Sequence, residues 1–154
     1  MTDRPATDYS LLISQMESLA EESSHYIPVM ANASALLYAA MPDVNWAGFY
    51  LVMDDALILG PFQGKAACVR IEKGRGVCGT SWAKDEVQLV PDVHAFPGHI
   101  ACDSASASEI VVPIHRHGEV LAVLDIDSPL KARFSEADKE GLCRFAMALE
   151  RIIT

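Results

Sequence analysis

The 154-residue sequence predicts a single α+β domain: a mainly antiparallel sheet with helices from both ends of the chain packed on one of its faces and loops forming a pocket on the other. Three observations predict it. Apolar residues recur at helical spacing at the two ends of the chain, the period shifts to that of strands between them, and the order of elements lacks the strict strand-helix alternation of a parallel sheet.

Taken in order, Leu12, Met16, Leu19 and Ala20 form one apolar stripe between Asp8 and Glu22, which predicts a first helix. A second is expected from Ile27 to Met41, with Pro28 near its start and Pro42 closing it. Val44 to Met53 (VNWAGFYLVM) is rich in aromatic and branched residues, and the pattern resumes in ALILGPF after Asp54 and Asp55, so a hairpin with a tight acidic turn is expected. Gly60, Pro61 and Gly64 should end its second strand, and Cys68 to Ile71 suits a short further strand or an edge segment. Gly74 and Gly76 then interrupt the chain before VCGTSWA, which fits one or two helical turns with Trp82 in the core, and Val87 to Val90 is a strand stopped by Pro91. No periodicity follows until Ser108, and a featureless stretch of that length, roughly 18 residues, tends to be a lid or binding loop. Glu109 to Ile114 and Val120 to Asp127 complete the sheet around a turn through His115, Arg116, His117 and Gly118. Ser135 caps a final helix, with Glu136 and Asp138 in its first turn and Leu142, Phe145, Ala146, Leu149 and Ile153 on its apolar face. The domain spans 1–154, with a flexible lead-in over 1–7.

Composition narrows the function. A formal charge of −9 with scattered Lys and Arg offers no electrostatic footprint for nucleic acid. Apolar runs fall short of the roughly 20 residues a membrane span requires, and the first residues have no signal-peptide character, so a cytoplasmic protein is expected. In that compartment Cys68, Cys78, Cys102 and Cys143 read as thiols with chemistry or as buried filler, not as a disulfide framework.

Cys102 sits in a loop of small residues with no bulky neighbour to bury it, which favours a functional thiol. Cys143 adjoins the apolar stripe of the last helix and is expected to be buried and structural. Cys68 and Cys78 flank the glycine loop; each suits core packing or a thiol relay, which needs one reacting thiolate, a second thiol and mobile backbone. The histidines His94, His99, His115 and His117 invite a metal, but neither CxxC nor HxxxH occurs, so no metal is expected. They read as surface turn residues, with His99 best placed to hydrogen-bond near Cys102. Asp125 and Asp127 share one strand face, opposite Leu124 and Ile126, and with Glu109 they form an acid cluster suited to receiving an ammonium and supplying a proton. Trp46 and Tyr50 share a face of the first strand, as core or as an aromatic wall for an alkyl or thioether group.

The segments NWAGFYL, LGPFQGKAAC, GRGVCG, FPGHIACDSAS, SEIVVPI and VLDIDSP together resemble the free methionine-(R)-sulfoxide reductases, a family built on the GAF fold. The resemblance covers nearly the whole chain. It implies a six-stranded antiparallel sheet, a homodimer, and reduction of free methionine-(R)-sulfoxide with electrons from thioredoxin, a thiol chemistry that requires no organic cofactor either. By position it makes Cys102 the nucleophile, Cys68 the resolving thiol and Cys78 a secondary partner. Glu109, Asp125 and Asp127 would then bind the sulfoxide oxygen and amino group, and Trp46 the methyl end. The alternative is a GAF-type sensing module that binds a small ligand without catalysis. Under the enzymatic reading, the substrate carboxylate is expected on backbone N–H groups around Cys102.

Overall fold

Two tight turns force the chain back on itself and lay down the sheet. Asp54 and Asp55 take φ of 51° and 63°, and His117 and Gly118 take 55° and 77°. Positive φ at both central residues is the two-residue hairpin turn whose twist matches that of the flanking strands. The computed structural model describes residues 4–100 and 105–153. Its elements run α1 (Tyr9–Leu19), α2 (Tyr26–Ala40), β1 (Trp46–Met53), β2 (Ala56–Gly64), β3 (Arg70–Glu72), α3 (Gly76–Lys84), β4 (Gln88–Val90), a 3-10 turn (Val93–Ala95), β5 (Ser108–Arg116), β6 (Glu119–Ser128) and α4 (Glu136–Ile152).

The six strands lie in the order β3-β2-β1-β6-β5-β4, and every neighbouring pair is antiparallel. Because successive strand residues face opposite ways, each strand feeds two cores. Ala47, Phe49 and Leu51 of β1, Ile110, Val112 and Ile114 of β5 and Leu124 and Ile126 of β6 point to the helical face. There α2 and α4 pack on the sheet, and α1 lies across both helices. Full burial of such side chains is worth about 1.5–3 kcal/mol each. Gly141 lets α1 and α4 approach, since a Cβ there would stand 2.1 Å from the Tyr9 ring.

The helix starts follow the sequence. The Asp8 carboxylate accepts from Leu11 N at 3.0 Å, and Ser135 and Asp138 form a reciprocal capping box. Asp138 is also a hub, accepting from Tyr9 Oη at 2.7 Å and from Arg133 at 3.1 Å. Pro61 lies inside β2 where the register jumps from Gly48↔Phe62 to Tyr50↔Leu59, a bulge that tolerates proline's missing N–H.

Several expectations need correction. The face opposite the helical layer is not left to loops, because α3 packs on it against β5 and β6. β3 begins at Arg70, two residues later than the apolar run suggests, and the stretch after Pro91 holds a 3-10 turn capped by Asp92. His115 is not a turn residue: it sits in β5 with its ring between Glu150 (Nδ1, 2.7 Å) and Asp85 (Nε2, 2.6 Å). Cys143 is half-buried beside exposed Met147, at the margin of the core rather than inside it.

Candidate active site

The second face of the sheet gathers the polar residues. Register places Trp46, Asp127 and Glu109 in one row across β1, β6 and β5, and Gly48, Asp125 and Val111 in another two residues along. Glycine at 48 keeps that second row open: a Cβ there would stand 2.3 Å from Phe62 Cβ and 2.9 Å from the Trp46 ring. Trp46 therefore lies flat across the strand, stacked on Tyr50 and Phe62 with ring centroids 5.8 and 5.2 Å away. Its Nε1–H donates to Lys65 O at 3.0 Å, and Tyr50 Oη donates to Cys68 O at 2.9 Å. The aromatic wall is thus tied to the segment that carries Cys68.

Together these residues surround a cavity of about 50 Å³, with Glu109, Asp125 and Asp127 on the floor and Trp46 and Tyr50 on one side. The start of α3 (Gly76, Val77, Cys78) forms a second side, and His99, Ile100 and Ser106 a third. The N-cap of α3 is Arg75, which supplies no side-chain cap to the first-turn amides. Gly76 takes a positive φ of 62° to start the helix here, against Ile100.

Burial dominates the electrostatics. Glu109 is 8% exposed and Asp125 5%. Loss of solvent, then the charges of Asp125 and Asp127, push Glu109 well above the usual carboxylate range, which favours its protonated form. Asp125 is also raised, chiefly by burial, although hydrogen bonds from Glu109, Cys78 and Asp127 oppose the rise. Cys78 Sγ lies 3.9 Å from Glu109 Oε2. Burial and the adjoining carboxylates drive its thiol well up, against thiolate formation. Asp125 Oδ1 and Ser106 Oγ are buried with no hydrogen-bond partner among the described residues. His99 is held below the ordinary histidine value by burial and by His94, whose ring lies edge-on at 6.1 Å.

The structure thus unites Trp46, Tyr50, Cys78, Glu109, Asp125 and Asp127 around one cavity, with Cys68 at its margin. Cys68 is disulfide-bonded, whereas Cys78 and Cys143 are free thiols. Cys102 lies outside the described residues, and so does any hydrogen bond between it and His99. Cys78, Glu109 and Asp125 bring potential ligand atoms within 4.8 Å of one another, a donor set that linear spacing hides because it comes from α3, β5 and β6. Sequence reasoning missed Arg75, Gly76, Ile100, Ser106 and Phe62 as parts of the site; the one available signal was a glycine-rich turn leading into a helix.

The GAF domain family matches residues 16–153. Protein YtsP of Bacillus subtilis (strain 168) is 56% identical over 148 residues, covering 95% of this chain and 91% of that protein. A free methionine-R-sulfoxide reductase of Escherichia coli (strain K12) is 50% identical over 145 residues, covering 94% and 88%. The structure of the Staphylococcus aureus enzyme fRMsr in complex with substrate superposes with a TM-score of 0.93 at 47% identity, covering 99% of this chain and all of that one. A six-stranded antiparallel sheet with helices on one face and a polar pocket on the other is thus a GAF domain. Within that class, the chain belongs to the free methionine-(R)-sulfoxide reductases, a family of oxidoreductases.

Proposed function

We propose that the protein reduces free methionine-(R)-sulfoxide to methionine, with Cys102 as the nucleophile and Glu109 as the acid. The observation that carries this reading is the buried carboxyl of Glu109 on the floor of an aromatic-walled cavity, next to Asp125 and Asp127, where burial favours its protonated form. A sulfoxide sulfur becomes electrophilic when its oxygen receives a proton or a strong hydrogen bond, and a buried acid that keeps its proton at neutral pH supplies one.

In the proposed cycle the Cys102 thiolate attacks the sulfoxide sulfur as Glu109 protonates the oxygen. Methionine leaves with the substrate sulfur reduced by two electrons, and the oxygen remains on Cys102 as a sulfenic acid. The Cys68 thiol then attacks that sulfur, water departs and a Cys68–Cys102 disulfide forms. The disulfide bonding of Cys68 and the free state of Cys78 and Cys143 support this pairing. Cys78 suits the resolving role poorly, because burial beside two acids holds it as a thiol. An external dithiol of the thioredoxin type restores the pair. The chain is further proposed to act as a cytoplasmic homodimer, which sedimentation tests.

Recognition follows from charge and shape. Asp125 and Asp127 receive the α-ammonium, and the unpartnered Asp125 Oδ1 offers it an acceptor. A peptide nitrogen carries no charge and would leave those acids unmatched, which restricts turnover to the free amino acid. The Trp46 ring receives the methyl group. The first turn of α3 lines the cavity, and the uncapped amides of such a helix start suit the substrate carboxylate.

The test supplies both diastereomers of free methionine sulfoxide with thioredoxin and its reductase. Methionine should form from the (R) form alone, N-acetylated substrate should be refused, and Cys102→Ser should abolish the reaction. Turnover by Cys102→Ser at the native rate would refute the assignment.

A further inference from the structure

The chain carries a formal charge of −9, yet four of its twelve basic residues, Lys65, Arg70, Lys73 and Arg75, fall within eleven positions that include one acid, Glu72. All four are exposed. Cys68 lies among them, half-buried, with its carbonyl fixed by Tyr50. Beside it Val69 is 69% exposed, the highest value among the exposed large apolar side chains of the described residues. Its backbone is nevertheless ordered, since Val69 O accepts from Leu59 N at 3.0 Å. The following residues form β3, which among the described residues pairs with β2 alone and leaves its outer edge open at the rim of the sheet. Lys73 is held with its Nζ 4.9 Å from the Trp82 ring centroid, and Arg70 is ion-paired with Glu72. A positive rim on an acidic protein, an exposed apolar side chain and an open strand edge meet at a disulfide-bonded cysteine.

We propose that the outer surface of residues 65–75 is the docking site of the dithiol protein that reopens the Cys68 disulfide, and that this partner presents acidic residues and an apolar contact around its own reactive thiol. The inference rests on the disulfide cycle above and deepens it by assigning where the electrons enter. Opposite charges concentrate the partner at this rim, and Val69 supplies the apolar contact that orients it. A thiolate of the partner attacks Cys68 Sγ, forming a mixed disulfide and expelling the other half-cystine as a thiolate that takes up a proton. The partner's second thiolate then attacks its own sulfur in the mixed disulfide and releases Cys68, also to be protonated. Two electrons have passed, and the partner leaves with the disulfide. The cations flanking Cys68 favour the second step by stabilising its departing thiolate.

A decisive experiment measures disulfide opening directly, by alkylation and mass spectrometry, without methionine sulfoxide. Oxidised protein is mixed with reduced thioredoxin, an acidic dithiol protein, or with dithiothreitol, a neutral small dithiol. Arg70→Glu/Lys73→Glu and, separately, Val69→Glu should slow opening by thioredoxin by about tenfold or more, as lost electrostatic steering and apolar contact require, while dithiothreitol opens all three proteins at similar rates. Raising salt from about 50 to 500 mM should slow the native reaction with thioredoxin severalfold and should not slow the charge-reversed double variant, whose repulsion it screens. Equal thioredoxin rates in native protein and both variants would overturn the docking site. A failure to form methionine, with the rate differences intact, would instead overturn the sulfoxide reading and leave the docking site standing.

Discussion

Glu109 shows how one position in a strand comes to hold its proton more tightly than a free carboxyl does. Its place at the start of β5 puts it opposite Asp127, and the alternation of β6 adds Asp125 on the same face. Three carboxyl groups in so little solvent cannot all ionise, and Glu109 is driven well above its ordinary value of 4.5. For an acid raised in the folded state the linkage has a definite sign. Above 4.5 the unfolded chain loses the proton while the folded chain keeps it, so stability declines as pH rises from there towards the folded value. Glu109→Gln should flatten that decline in denaturation curves at several pH values, yet lower the rate of methionine formation by about 10²-fold or more, because an amide cannot give up a proton. At Gly48 the chemistry is steric. Gly48→Ala should cost about 1–3 kcal/mol in urea unfolding and displace the Trp46 ring, with a quenched or shifted tryptophan emission as the spectroscopic sign. The acid cluster was legible from the sequence because aspartate is rare in strands and the period of two fixes its face. Ser106, Ile100 and Arg75 were not, since residues on loops have no period to place them.

Elements on one face of the sheet build the site, and one of them is tied through β5 to the other face. α3 carries Gly76, Val77 and Cys78 to the cavity, and Asp85 at its C-terminal end meets the His115 ring, whose other nitrogen bonds Glu150 of α4. His115 thus links the helix on the site face to the helical layer behind. Burial alone would lower its proton affinity, but the Asp85 and Glu150 carboxylates outweigh it and raise the value above 6.5. A histidine raised in this way stabilises the fold fully below 6.5, and the contribution is lost as pH climbs through the folded value. Because the ring is partly exposed, solvent screening limits the loss to about 0.5–1 kcal/mol. His115→Gln should therefore remove a pH dependence of that size above pH 6.5, measured as the urea midpoint. Asp138 plays the corresponding role at the other end of α4, with Tyr9, Arg133 and the Ser135 cap converging on it. Asp138→Ala should cost about 3–5 kcal/mol, since it leaves a buried guanidinium uncompensated. The cap itself was readable as Ser135 followed by Asp138, whereas the partnership with Tyr9 spans 129 positions and no local pattern encodes it.

At the scale of the molecule, one sheet separates two interiors of different character. The helical side is apolar and closed, and the other side encloses acids, a thiol and aromatic rings under a single short helix. The antiparallel class and the ends of the helices were legible because periodicity and caps are local signals. The α3 layer was not, because its nine residues are too few for an amphipathic stripe to declare which face it covers. Two-sidedness also separates stability from chemistry. Substitutions behind the sheet, such as Leu124→Ala, should cost about 2–5 kcal/mol in unfolding while leaving the chemistry of the folded fraction near native. The central claim, that a Cys102 thiolate attacks while the neutral Glu109 acid delivers its proton, is tested most directly by single-turnover methionine formation across pH. The native protein should lose activity on the alkaline side as Glu109 ionises, and Glu109→Gln should be slow at every pH with that limb absent. A Glu109→Gln protein that forms methionine at the native rate, with the alkaline limb unchanged, would contradict the account.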